Sequence, residues 1–310
     1  MELADRYRGC LLGLACADAL GGPVEFLSRA EIARLHPNGP REFTGGGWLH
    51  LAPGEITDDT QMTLALARSL ADGGPLDMAD IAARFVAWAD SKPKDIGSTT
   101  RGALDLLAQG VPWDEAGERI QQAALPRGAA ANGSVMRCAP IALRFRGDLP
   151  GLVQASIATS RVTHADPRCT WGTVAVNQAI AYLLDGGSIR DAIAAAVVDV
   201  PETRVVEAVY TASRRGRDEI RSGGFVLDTI VAAFWSLSSN DSFEETVVAS
   251  VALGDDADTT GAVAGALAGA HYGASAIPTR WLELLQPRVE LVALADRLFD
   301  LNEQEVKTIR

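Results

Sequence analysis

Apolar residues recur at three- and four-residue spacing along most of this chain, and runs that alternate every second residue are few. The pattern predicts helices. A first one runs roughly from Ala4 to Leu20 and stops at Gly21-Gly22-Pro23, where a Gly- and Pro-rich loop with "HPNGP" and "FTGGGW" follows. The next begins after Thr57 and reaches about Leu70. Others are expected near Met78 to Asp90, Thr99 to Gln109, Trp113 to Ala123 and Gly151 to Ser160. "DPRCTWGTVAVNQAIAYLLDGG" reads as a long helix with Asp166 as N-cap, Pro167 at the first helical position and Gly186 as the stop. Further helices are expected near Ser188 to Val198, Arg204 to Arg221, Thr229 to Ser236 and Ser242 to Val251. One more begins at "DTTGAVAGALAGAHYG", and Arg288 to Leu301 is the last. There is no fixed-period repeat and no low-complexity linker. Residues 1–310 therefore read as a single all-α domain, a compact helical bundle.

Composition agrees with this picture. Hydrophobic residues make up 47% of the chain, enough for a sizeable core, and Ala and Leu are strong helix formers. The formal charge of -12 disfavours a phosphate backbone, so nucleic-acid binding is not expected. It leaves a small anionic ligand open, because cations or helix ends reverse the sign locally. Cys10, Cys16, Cys138 and Cys169 are scattered and form no CxxC pair, which reads as buried thiols in a reducing compartment. The apolar stretch near the N-terminus is short and interrupted by Asp18. It resembles neither a signal peptide nor a membrane span, so a cytoplasmic location is expected. A self-contained bundle of this size also suits a monomer.

The chemistry gathers at two helix heads. "GEITDDTQM" places Thr57, Asp58, Asp59 and Thr60 just before an apolar helix. Ordinary capping explains one such cluster, with Thr57 as N-cap and the acids complementing the helix dipole. A second cluster, "LGDDADTTGAVAGALAGA", puts Asp255, Asp256, Asp258, Thr259 and Thr260 at another head. A cap needs one residue, and adjacent carboxylates repel unless a cation lies between them. Hard oxygen donors suit Mg²⁺, Mn²⁺ or Ca²⁺ rather than zinc. If the fold unites both heads, five carboxylates could hold two cations about 3.5–4 Å apart. The Gly- and Ala-rich helix after the second cluster is thin, as a helix at the centre of a bundle would be.

Other positions are weaker signals. Asp18 lies near a helix C-terminus, where an acid opposes the dipole, and Glu25 follows the Gly-Gly-Pro turn. Asp95 sits in a loop before a helix and reads equally as a turn residue or a carboxylate beside the cations. "AANGSVMRCAP" offers Asn132, Gly133, Ser134 and Arg137, with backbone N–H groups suited to a phosphate. His164 stands in the loop before the Asp166 cap. His36, His50 and His271 carry no sign of chemistry, and there is no GxSxG elbow.

In this order, "GCLLGLACADALGGPVEF", "GEITDDTQM", "DIGSTTRGAL", "NGSVMR", "THAD" and "LGDDADTTGAVAGALAGAHYG" resemble the ADP-ribosylglycohydrolase family across nearly the whole chain. The resemblance implies an all-α fold with a central binuclear Mg²⁺ or Mn²⁺ site and hydrolysis of the glycosidic bond to ADP-ribose. The substrate would be a protein ADP-ribosylated on arginine or serine, or an ADP-ribose-containing small molecule, with the linkage left open by the sequence. It implies metal ligation by Thr57, Asp58, Asp59, Asp256, Asp258 and Thr259, with Asp255 a neighbour. Glu25 matches a mobile acid near the metals, and Asp95 a carboxylate acting on the ribose. Gly133, Ser134 and Met136, with Asn132 beside them, match the diphosphate segment. His164 matches a residue lining the ADP-ribose cleft. A two-metal phosphoesterase and a non-catalytic ADP-ribose-binding protein are the alternatives.

Overall fold

The computed structural model describes residues 2–126 and 128–309, residues 306–309 by backbone alone. Among the described residues the ordered elements are helices, with no β-strand. They are α1 (Leu3–Gly21), α2 (Arg29–Leu35), α3 (Asp58–Ala71), α4 (Met78–Asp90), α5 (Ser98–Ala108), α6 (Trp113–Ala123), α7 (Ala139–Arg144) and α8 (Leu149–Arg161). There follow α9 (Pro167–Leu184), α10 (Ile189–Ala195), α11 (Thr203–Ala212), α12 (Val226–Ser238), α13 (Phe243–Val251), α14 (Ala257–Tyr272), α15 (Thr279–Leu284) and α16 (Arg288–Ile309). No single helix among them is long and apolar enough to cross a membrane.

Two helices form the axis. α1 and α14 run antiparallel and make the most extensive pairing in the molecule. Both carry glycine at four-residue intervals, which lies on one helix face. Gly9 faces Gly269, Gly13 faces Gly265, and Gly261 faces Ala17. A Cβ at Gly9, Gly13, Gly265 or Gly269 would overlap the carbonyl oxygen of the opposite helix, and one at Gly261 would stand 2.9 Å from the Ala17 oxygen. The backbones therefore touch. Every residue of α14 from Ala257 to Ala270 is buried, as the thin-helix reading expects. Around this pair α3, α7, α9, α12, α13 and α16 bury their apolar faces in one continuous core. The four cysteines are buried and unpaired.

The antiparallel contact has a direct consequence for the site. It carries the C-terminal end of α1 to the head of α14, where a Cβ on Gly21 would lie 2.5 Å from the Asp258 Cα.

Several elements differ from the sequence pattern. The stretch read as loop after Gly22 contains α2, started by Ser28. Its hydroxyl accepts from the Glu31 N–H while Glu31 reaches back to Ser28, a capping box present in the sequence as S-x-x-E. α7 and α15 are single short turns opened by prolines and were not expected. The expected helix from Arg204 to Arg221 ends at Ala212, and only a 3₁₀ turn, Arg217–Glu219, follows. Ser213-Arg214-Arg215-Gly216 has no apolar face to bury, so nothing sustains the helix there. The Asp166 cap is present, its carboxylate accepting from the Arg168 N–H at 2.9 Å, and Gly186 stops α9 at φ +83.

Candidate active site and metal centre

α3 and α14 begin side by side. Thr259 on α14 donates its hydroxyl to Asp59 Oδ2 on α3 at 3.2 Å, joining residues 200 positions apart in sequence. The two acidic heads thus meet at one place in the molecule.

Asp18 brings α3 into register. Its carboxylate accepts from the Thr57 N–H at 3.1 Å, the Thr57 hydroxyl at 2.7 Å and the Thr60 N–H at 3.1 Å, with the Thr60 hydroxyl as a further partner. The α3 head is therefore capped by a residue of α1. This corrects the expectation that Thr57 caps with its own side chain. Thr57 occupies the N-cap position but makes no side-chain cap bond. It also explains the acid at the end of α1, whose negative charge serves a neighbouring helix N-terminus rather than its own C-terminus.

With the capping done by Asp18, the carboxylates of the cluster are free for something else. Asp58, Asp59 and Asp258 are buried and Asp256 is half-buried, and no lysine or arginine forms an ion pair with them among the described residues. Asp59 Oδ1 is buried without a hydrogen-bond partner. Glu25, Asp256 and Asp258 each present an oxygen within 4.8 Å of the others, close enough to share one cation. Burial first, then mutual repulsion, holds Asp58, Asp59 and Asp258 well above the usual carboxylate range. Burial likewise raises Asp256, against hydrogen bonds that lower it. Glu25 is pushed up to about 8 by burial, opposed by the Trp48 indole and reinforced by Asp256, Asp95 and Asp18. A set of buried, unpaired, oxygen-only donors with one orphaned oxygen fits hard divalent cations.

The cluster forms one wall of a cleft of about 370 Å³. Glu25, Asp58, Asp256, Asp258 and Thr259 line it, as do Asp95, Asn132, Gly133, Met136 and His164. Thr57 and Asp59 lie beneath this surface, among residues buried from solvent. Asp95, between α4 and α5, has its carboxyl raised by burial and by the charge of Asp256, and accepts from the Ile96 N–H at 2.7 Å. Asn132 donates to Asp256 Oδ2 and to the Thr229 hydroxyl, both at 2.9 Å, and so ties the second segment to the cluster. Ser134 does not reach the cleft with its side chain, where Thr173 donates to its hydroxyl at 3.3 Å. Asp255 is exposed, in a turn at φ +53.

His164 is buried rather than solvated, as a loop histidine would ordinarily be. Arg137 donates to the Thr163 hydroxyl at 2.6 Å and to the Gly133 carbonyl at 2.7 Å. The Thr163 hydroxyl in turn shares a hydrogen bond with His164 Nδ1, 2.7 Å away, and so links the ring to Arg137. Burial and the Arg137 charge lower the His164 pKa to about 3, so the ring is neutral. Gly133 lies against it so closely that a Cβ would sit 2.7 Å from His164 Cε1.

Sequence reasoning gave no role to Trp48, Phe26 or Thr163. Trp48 Nε1 donates to Glu25 Oε2 at 2.6 Å. The one signal that could have marked this loop is its run of three glycines before an aromatic residue.

An all-α fold built on two touching helices, with a cluster of oxygen donors that could hold a cation beside a cleft, fits the class of metal-assisted hydrolases. Comparison with known proteins gives the family. The ADP-ribosylglycohydrolase family pattern matches residues 1–307, and the chain belongs to that family. It is 38% identical to the ADP-ribosyl-[dinitrogen reductase] glycohydrolase of Rhodospirillum rubrum, over 92% of both chains. It is 35% identical to the ADP-ribosylarginine hydrolase Tri1 of Serratia proteamaculans (strain 568), over 98% of this chain and 81% of that one. A solved structure, an ADP-ribosylglycohydrolase-related protein complex, superposes with a TM-score of 0.82 at 34% identity over 97% of this chain and 99% of its own. The protein is accordingly an enzyme that hydrolyses the glycosidic bond to ADP-ribose.

Proposed function

We propose that the enzyme uses two divalent cations, Mg²⁺ or Mn²⁺, to release ADP-ribose from an ADP-ribosylated arginine side chain. The observation that carries the cation part is the buried, cation-free cluster with its orphaned Asp59 oxygen. The arginine linkage is supported by two relatives, at 35–38% identity, of which one is an ADP-ribosylarginine hydrolase. A cytoplasmic monomer is the accompanying reading.

Thr57, Asp58, Asp59, Asp256, Asp258 and Thr259 would hold the cations, with Glu25 at their edge. Cations there supply Lewis acidity and a grip on a vicinal diol. The chain's own groups supply the rest. Asp95 and Glu25 line the same cleft, where burial raises the carboxyl of each, as proton transfer by a carboxyl group requires. One takes a proton from the attacking water while the other protonates the departing nitrogen at an oxocarbenium-like C1. At the far end the neutral His164 ring and the backbone N–H groups of Gly133 and Ser134 face a diphosphate. Asn132 steadies Asp256, and Met136 gives an apolar contact.

The test is release of ADP-ribose from arginine-linked, serine-linked and small-molecule-linked substrates, each with Mg²⁺, Mn²⁺ and chelator. The expected result is metal-dependent cleavage of the arginine linkage. It should be abolished in Asp256→Asn while far-UV circular dichroism is preserved. Full activity in chelator, or in Asp256→Asn, would refute the assignment.

A further inference from the structure

We propose that Phe26 and Trp48 form an aromatic lip that reads the guanidinium leaving group of the substrate. This rests on the arginine linkage proposed above.

Phe26 follows Glu25 directly and sits at φ +64. For a bulky side chain this left-handed backbone is strained, and glycine would adopt it freely. The strain is held by two backbone bonds: the Phe26 N–H donates to the Asp255 carbonyl at 2.6 Å, and the Asp255 N–H to the Leu27 carbonyl at 2.8 Å. The ring then stands 65% exposed at the edge of the cleft. Its aromatic neighbour is the Trp48 ring, 5.4 Å between centroids and tilted 43°. Trp48 is itself 47% exposed, and its indole N–H holds the Glu25 carboxylate.

The fold gains little from this arrangement. A strained backbone supports a large apolar ring that remains in water, and stored strain of this kind clusters at ligand clamps. What it does achieve is to place two aromatic faces beside a carboxylate, which itself lies within 4.8 Å of the Asp256 and Asp258 oxygens. With the ribose held at the acidic wall, a group attached to its C1 comes within reach of this edge of the cleft. A guanidinium is planar and cationic once released. It stacks on aromatic faces and pairs with a carboxylate at its rim. A serine hydroxyl is small and neutral and gains nothing from either contact. The lip therefore favours the arginine linkage over the serine linkage.

The experiment compares kcat/KM for an arginine-linked and a serine-linked ADP-ribosyl peptide, with Mg²⁺, in the wild type, Phe26→Gly and Phe26→Tyr. Glycine removes the ring and relieves the backbone, so folding is not at stake. Phe26→Gly is expected to lower kcat/KM for the arginine-linked peptide about tenfold relative to the serine-linked one, the size of a partly desolvated cation–π contact. Phe26→Tyr is expected to restore the ratio. Agmatine, a guanidinium without ADP-ribose, should inhibit the wild type and lose potency by a similar factor in Phe26→Gly. An unchanged ratio, with arginine-linked cleavage intact, overturns the lip alone. A wild type that cleaves the serine linkage and spares arginine overturns the linkage reading and the lip together.

Discussion

Stripping the cations and then raising the pH from 6.5 to 8 should destabilise the fold, and the direction follows from the cluster. Glu25 titrates at about 8 in the folded protein because it is buried among acids, whereas in an unfolded chain a glutamate titrates near 4.3. Between those values the folded state binds the extra proton, so stability falls as pH rises toward 8. Asp58, Asp59 and Asp258 are displaced in the same direction by burial. His164 acts oppositely: its folded pKa of about 3 lies below the unfolded value near 6.5, so it costs stability in acid, and that cost is gone above pH 6.5. Surface carboxylates with lowered pKa values, such as Asp80 and Glu245, are ionised in both states by then. The window from 6.5 to 8 therefore reports chiefly on the acidic cluster, with a smaller contribution of the same sign near pH 8 from the buried thiols, which cancels between the chelated and cation-loaded protein. One retained proton changes stability by about 1.4 kcal/mol per pH unit, so Glu25 alone, half-ionised by pH 8, contributes about 1.6 kcal/mol across the window. With an unfolding entropy of about 2.1 cal/mol/K per residue, that lowers the melting temperature by about 2 °C, and the buried aspartates add to it. Saturating Mg²⁺ or Mn²⁺ replaces the protons and restores stability, by about 2.7 kcal/mol at a hundred times Kd. Thermal melts at three pH values, with chelator and with cation, measure this. The gap between the two curves should widen toward pH 8. A constant or narrowing gap, or a chelated protein that melts higher at pH 8 than at 6.5, would refute the reasoning.

Two substitutions test the supports of the site. Asp18→Asn puts an amide against the donors at the α3 head and should cost about 3 kcal/mol, since bonds to a charged group are worth about 1.5–3 kcal/mol each. Because α3 carries Asp58 and Asp59, Mn²⁺ affinity should fall at least tenfold, and an unchanged Mn²⁺ titration would show that Asp18 does not position them. Thr163→Val leaves the size of the side chain but removes the link between Arg137 and His164 Nδ1. KM should rise about tenfold with kcat little changed, as for one lost buried hydrogen bond. ¹⁵N NMR of the imidazole should show a changed tautomer population, and an unchanged spectrum would contradict the link between Thr163 and the ring.

The chain's pattern disclosed the fold class and the long helices, because helix periodicity and Gly, Pro and Asp punctuation are local signals. Asp58, Asp59, Asp256 and Asp258 could be singled out because each cluster holds more acid than a cap needs. What the pattern could not disclose is pairing in space. The register of Gly9 and Gly13 against Gly269 and Gly265 decides where α1 ends, and so decides that Asp18 meets Thr57 and Thr60. Trp48 stood in a loop that looked featureless because its partner, Glu25, is reached only through folding. The His164 environment was hidden for the same reason: burial and the neighbouring Arg137 are tertiary facts.

The remaining question is how a protein of charge -12 holds an anionic diphosphate. Glu25, Asp58, Asp59, Asp256 and Asp258 would contribute five negative charges when ionised. The N-termini of α3, α5 and α14 all open at the cleft, where Asp58, Ser98 and Thr259 are among the lining residues. Each such terminus acts as about half a positive charge, together about +1.5. Asp95 in the same cleft adds a sixth negative charge and Asp18 offsets the α3 terminus, so the wall is negative to the extent that its acids ionise, and two divalent cations, at +4, offset most of that charge. On the two-cation reading, the metals therefore favour binding of the substrate, before any bond in it is broken.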